Sequence, residues 1–200
     1  MFIQVIEGRT SNAEALDRQL ELWRQELAPG AIGYLGSTAG VTDSGDAILI
    51  ARFESEAAAR ANAARPDQTA WWSDTERCFD GPVRFHDSTD VADMRLGDPD
   101  QARFVQVMEG HIADRERAKQ LQATSEPLLH DLRPDVLGTT TAFFADGEFA
   151  EIVYFSSEDE ARRAETRDVP DRAASMLADL QQAMPVERYI DLTQPKLMRV

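Results

Sequence analysis

The sequence predicts an α+β fold in which one β-α-β-β-α-β unit is built twice. Three observations predict it. First, FIQVIEG at 2–8 recurs as FVQVMEG at 104–110, and the spacing of 102 residues then holds without a gap past residue 60. Roughly 18 of about 64 aligned positions are identical, far above chance for unrelated segments, so the chain is a tandem repeat. Second, each half carries short apolar runs of strand length separated by two helix-like stretches. Third, 42% of the 200 residues are hydrophobic and 28% charged, which suits a packed core, while the longest apolar runs, such as AILIA at 47–51, are too short to span a membrane.

In order along the first half, residues 1–7 alternate and are rich in Phe, Ile and Val, the mark of a strand. Ser11-Asn12-Ala13-Glu14 reads as a capping box. Leu16, Leu20, Trp23 and Leu27 then form one apolar stripe of a helix that Pro29-Gly30 stops. IGYLGSTAGV and AILIARF are strands joined by the turn Asp43-Ser44-Gly45-Asp46, and Asp146-Gly147 stands at the same place in the second half. A second helical region starts at Ser55, with Ser157-x-x-Glu160 as its counterpart, is broken at Pro66 and continues from Thr69 to Phe79. PVRFHD (82–87) closes the unit and matches PVERYID (185–191). This is the ferredoxin-like order, with an antiparallel sheet and both helices on one face. The other face needs a cover, and the second sheet is the expected partner, the two packing as an α+β barrel. Repeat 1 is placed at 1–96, a linker at 97–103 within LGDPDQAR, and repeat 2 at 104–200; VADMRL (91–96) and PKLMRV (195–200) match each other as short extra strands that cross to the opposite half.

Charge and motifs narrow the chemistry. A net charge of −15 argues against nucleic acid or an anionic membrane as partner, since phosphates would be repelled. The single cysteine, Cys78, permits no internal disulfide, and the start MFIQVIEGRT lacks a basic, apolar leader, so a reducing cytoplasm is the expected location. Three scattered histidines without H-x-x-x-H or C-x-x-C spacing predict no metal site, and the absence of G-x-G-x-x-G, Walker and G-x-S-x-G motifs predicts no nucleotide cofactor and no acyl transfer. Cys78 reads as a small core residue.

The opening FIQVIEG, the stretch RFESEAAARANAARPDQTAWW after the third strand and the closing GPVRFHD resemble the dimeric α+β barrel superfamily, and within it the antibiotic-biosynthesis-monooxygenase domains. The resemblance covers nearly the whole chain. It implies that one chain supplies both halves of a barrel usually made by two subunits, and that the activity is cofactor-independent oxidation of an aromatic polyketide or haem degradation. Relatives often carry a histidine about nine residues after the aromatic that ends the third strand; counting from Phe53 gives Asn62, and from Phe155 gives Ala164. Where haem-degrading relatives place their ligand histidine, this chain has Trp71 and Trp72 or Ala173 to Met176, so haem ligation by that route is not expected.

The candidate site residues each have two readings. Gln4 and Gln106 occupy the same place on the first strand of each half; they either orient a ligand carbonyl or hydroxyl, or bond each other or backbone. Trp71 and Trp72 either wall a pocket for a flat apolar molecule or pack helix on sheet, and smaller residues in the second half make any pocket asymmetric. Arg84 and His86 share a face of the closing strand; facing a cavity they bind an anionic oxygen and supply a general base, and otherwise they are surface residues. The expected function is a cofactor-free monooxygenase-like enzyme with His86 as base and Gln4, Asn62, Trp71, Trp72, Arg84 and Gln106 holding a small aromatic substrate between the sheets. The alternative is a non-catalytic barrel that binds a small apolar ligand or serves dimerisation. The protein is then a monomer with an internal pseudo-dimer, or a homodimer.

Overall fold

The computed structural model of the chain describes residues 1–199; Val200, the last residue of the expected segment 195–200, lies outside the described residues. Six α-helices and two five-stranded antiparallel sheets are present among the described residues. The chain divides into two units, Met1–Thr89 with Gln194–Val200, and Asp90–Thr193.

In the first unit the order is β1 (Phe2–Arg9), α1 (Ala13–Leu22), β2 (Tyr34–Val41), β3 (Asp46–Phe53), α2 (Glu56–Ala63), α3 (Pro66–Glu76) and β4 (Arg84–Ser88). The second repeats it as β6 (Phe104–His111), α4 (Arg115–Leu132), β7 (Val136–Phe143), β8 (Glu148–Phe155), α5 (Glu158–Glu165), α6 (Asp171–Ala183) and β9 (Val186–Leu192). The strand orders are β2-β3-β1-β4 and β7-β8-β6-β9, each extended by a short edge strand. β5 (Val91–Arg95) pairs with β7, and β10 (Lys196–Met198) pairs with β2. The matched tails VADMRL and PKLMRV thus each add to the sheet of the other repeat, which is why the units differ from a division into 1–96 and 104–200.

Local sequence explains the elements. α1 is capped by Asn12, whose Oδ1 accepts from the Ala15 amide at 3.1 Å, not by Ser11 as the capping-box spacing suggests. Thr10 Oγ1 holds the Asn12 amide at 3.0 Å and Ser11 Oγ donates to Asp80 Oδ1 at 2.9 Å, so the serine ties α1 to the loop after α3 instead. Past Leu22 the helix widens into a π-turn over Trp23–Leu27, a local form often found at functional sites. Ser55 and Ser157 cap α2 and α5 as expected, accepting from the amides of Ala58 at 3.1 Å and Glu160 at 3.3 Å. Pro66 opens α3 at its first position, where its missing N–H is harmless.

Alternation divides each sheet into two faces. In the first unit Phe2, Gln4 and Ile6 stand opposite Phe53, Ala51 and Leu49, and Phe2, Ile6, Leu49 and Phe53 pack with Leu16, Leu20, Trp23 and Leu27 of the helical layer. Ile3, Val5, Ile48 and Ile50 are buried on the other face. A β-bulge separates Tyr34 from Gly36 in the pairing of β2 with β3, so Tyr34 and Ser37, three apart, both register with the helix-facing residues Phe53 and Ala51. Gly36 makes this bulge at φ 135°, where a Cβ would stand 2.9 Å from the Met198 carbonyl oxygen. The repeated Leu-Gly pair places the same irregularity between Val136 and Gly138.

Candidate functional site

A cavity of about 380 Å³ lies in the first unit, between the helical layer and the face of the sheet that carries Phe2, Gln4 and Ile6. The volume is within the range of small-molecule sites. This cavity lies between helices and sheet of one unit, where the expectation was a substrate between two sheets; the bulky Trp23, Trp71 and Trp72 line it.

The wall is a run of aromatic rings. Phe53 and Tyr34 have centroids 5.7 Å apart, Tyr34 and Trp23 4.7 Å, Trp23 and Trp71 6.2 Å, Trp71 and Trp72 6.0 Å, and Trp72 and Phe85 5.1 Å. Both adjacent tryptophans reach the cavity, although neighbouring helix positions point about 100° apart. Two of the rings are held by their N–H groups: Trp71 Nε1 donates to the Gln19 carbonyl at 2.8 Å and Trp23 Nε1 to Gln68 Oε1 at 2.8 Å. Fixed rings of this kind offer a rigid face to a flat ligand at little entropic cost.

Few polar groups break the apolar wall. Gln4 Nε2 donates to Asp87 Oδ1 at 2.8 Å, and Asp87, on β4 opposite Gln4, is an exposed residue that borders the cavity. Tyr34 Oη donates to Ser37 Oγ at 2.6 Å, and burial pushes the phenol up to about 12, so it stays protonated at physiological pH. Asn62 is buried; its Oδ1 accepts from the Ile32 amide at 3.3 Å and from Arg65 Nη1 at 3.0 Å, and its Nδ2 lies 3.5 Å from Gln68 Oε1. Asn62 therefore lines the cavity and also pins the α2–α3 junction. Glu56 and Arg60 of α2 stand at the rim, paired at 2.5 Å.

The structure thus gathers Gln4, Asn62, Trp71 and Trp72 around one space. It does not bring Arg84 and His86 there. β4 pairs with β1 so that His86 stands opposite Val5 and Arg84 opposite Glu7, on the face away from the helices; Phe85 and Asp87 take the cavity side. Arg84 Nε lies 3.1 Å from Glu7 Oε2 and its charge is spent in that pair. Alternation correctly put Arg84 and His86 together but could not say which face of β4 meets Gln4. Trp23, Tyr34, Ser37, Gln68 and Asp87 were missed; of these Asp87 carried a signal, since it recurs as Asp191 alongside the repeated glutamine. Cys78 is half-buried against the core, with Sγ 3.7 Å from the Asp74 carbonyl oxygen.

The second unit treats the equivalent residues differently. Gln106 Nε2 donates to Asp191 Oδ1 at the same 2.8 Å, but Arg162 also reaches Asp191 and lays its guanidinium over Phe104, 5.1 Å from the ring centroid. Gln106 is buried by this arrangement. Gln122, Ser125, Thr141 and Glu151 stand where the first unit has Leu20, Trp23, Ala39 and Leu49, so four polar side chains enter a layer otherwise built of residues such as Phe104, Phe149 and Phe155, and no counterpart of Trp23 is present. No helix among the described residues is long and apolar enough to cross a membrane.

No protein-family model matches the chain, and no curated protein matches it. Solved structures do. A candidate monooxygenase from Lactobacillus acidophilus NCFM superposes with a TM-score of 0.72 at 13% identity, covering 99% of this chain and 96% of that one. A candidate monooxygenase from Fusobacterium nucleatum subsp. nucleatum gives 0.73 at 8% identity, over 99% and 94%. An anthrone oxidase-like protein gives 0.67 at 7% identity, over 98% and 92%. At these identities the likeness is one of fold: the chain shares the tandem α+β architecture of these three proteins along its whole length, as the resemblance to monooxygenase domains implied.

Proposed function

We propose that the chain is a cofactor-independent oxygenase of a small aromatic, polyketide-type molecule held in the cavity of its first repeat. The observation that carries this reading is the aromatic-walled cavity with one carboxylate, Asp87, fixed by Gln4 at its rim. A flat substrate lies against Trp71 and Trp72, and Asn62 and Gln4 orient its oxygens. Asp87, rather than His86, takes a proton from an activated CH₂ group; the carbanion left in the dry cavity transfers electrons to dioxygen. With anthrone as the case, one oxygen atom enters the ring system as a carbonyl and the other leaves as water, giving anthraquinone. The whole-chain likeness to an anthrone oxidase-like protein supports the choice of substrate class.

The experiment is oxygen uptake with anthrone under a dioxygen electrode. The protein consumes one dioxygen per anthraquinone above the uncatalysed rate. Asp87→Ala loses turnover while saturable binding, seen as tryptophan quenching, remains though weakened by about fivefold, and His86→Ala keeps both turnover and binding. Binding without any oxygen uptake would leave the non-catalytic ligand-binding module as the correct reading.

A further inference from the structure

We propose that Arg60 is a movable cap on this cavity, resting on Glu56 when the site is open and swinging to Asp87 to close it over a bound aromatic molecule. The inference rests on the reading of the cavity as a ligand site and adds how that site is opened and shut.

The two repeats carry the same set of residues and show it in two arrangements. Phe2, Gln4, Glu56, Arg60 and Asp87 correspond to Phe104, Gln106, Glu158, Arg162 and Asp191. In both, the glutamine donates to one oxygen of the aspartate at 2.8 Å. In the second repeat the other aspartate oxygen is taken by Arg162, whose guanidinium covers Phe104. In the first repeat Arg60 turns away to Glu56 at 2.5 Å, Phe2 is left facing the cavity, and Asp87 Oδ2 awaits a donor. The arginine side chain is 79% exposed in the first repeat and 39% in the second. The same side chain, one turn into the same helix, therefore reaches the aspartate when it folds inward.

One difference bears on why Arg162 is held by more partners than Arg60. Arg162 is also held by Glu165 at 3.2 Å and stands 3.6 Å from Glu158, so three carboxylates surround it. The counterpart of Glu165 is Ala63. Arg60 has one carboxylate partner on its own helix and a second, Asp87, across the opening. Pairing with exposed Glu56 is weak, of the order that a favourable stacking contact over a bound ring can offset. Closure removes water from the rim, which a carbanion reacting with dioxygen requires, and each Asp87 oxygen keeps a second lone pair with which to accept the substrate proton.

The test is stopped-flow fluorescence with N-phenyl-1-naphthylamine, a neutral aromatic probe, on the full chain. Arg60→Ala and Asp87→Asn each raise the probe's dissociation rate by about fivefold, and the double variant raises it no further, because both remove one contact. Glu56→Gln frees Arg60 from its resting partner and lowers the rate. Ala63→Glu, which recreates the third carboxylate of the second repeat, also lowers it. Glu56→Gln and Asp87→Asn moving the rate the same way, or all four leaving it unchanged, would overturn the cap while leaving the cavity intact. If the probe shows no saturable binding, or binding that Ala51→Phe does not abolish, the cavity reading fails and the cap with it.

Discussion

Replacing Glu151 by Gln should stabilise the protein at neutral and alkaline pH and do nearly nothing in acid. Glu151 lies on β8 opposite Thr141 and Met108, at the position where the first repeat has Leu49. Burial pushes its carboxyl from 4.5 up to about 7, against the smaller opposing pull of hydrogen bonds from Thr141 and Gln122. Between those values the folded chain binds a proton that the unfolded chain has released. Stability therefore falls as pH rises through this window, and above about 7 the folded state carries the whole penalty. The difference between 4.5 and about 7 corresponds to about 3 kcal/mol at most. Glutamine keeps the shape, removes the ionisation and places an N–H donor beside Gln122, whose Oε1 has no hydrogen-bond partner. Urea unfolding at about pH 5, 6, 7 and 8, with the slope of the transition checked for constancy, measures the effect. The variant's advantage should grow from about 1 kcal/mol near pH 5 toward about 3 kcal/mol near pH 8. An advantage independent of pH, or a loss of stability at pH 8, would refute the assignment of a desolvated carboxyl that holds its proton.

Other perturbations probe the first unit. Gly36→Ala should lower stability by about 1–3 kcal/mol in thermal or urea unfolding, because φ 135° and the nearby Met198 carbonyl oxygen exclude a methyl group. Trp71→Phe removes the donor to the Gln19 carbonyl but keeps an aromatic ring; a loss of about 1 kcal/mol with probe binding retained is the expected result. In a spectrophotometric titration of the folded protein, Tyr34 should ionise near 12, and Tyr34→Phe should delete that late component. Asn62→Leu should cost about 1–3 kcal/mol, since the Ile32 amide and Arg65 lose their acceptor in a buried place.

Much of the architecture was legible because it is written twice. The recurrence of FIQVIEG and of Leu-Gly, together with the Ser55 and Ser157 caps, located strands and helices in both halves. The site was legible in part. Gln4 meets the cavity because strand alternation puts it on the face of Phe2 and Ile6; Asn62 and the tryptophan pair join it from the helices, where α3 has no clear apolar stripe to announce its buried side. His86 was misplaced because the pairing of β4 with β1 depends on register between strands some eighty residues apart, which no local pattern encodes. Tyr34 and Ser37 were hidden by the bulge at Gly36, which puts two residues three apart on one face against simple alternation. Trp23 looked like one more core position on α1; it is a wall residue because the π-turn and its bond to Gln68 hold it at the edge of an empty space.

The pairing of β10 with β2 has a consequence for biosynthesis. A ribosome delivers β2 early, yet its edge partner emerges only after the entire second repeat has been translated. Met198, which also borders the cavity, arrives with it. The amino-terminal repeat must wait, with one flank of its sheet unpaired, while the later repeat is made. Nascent chains stalled before residue 194 should therefore be the species most prone to sticking to one another, and the cavity is completed as one of the final events of folding.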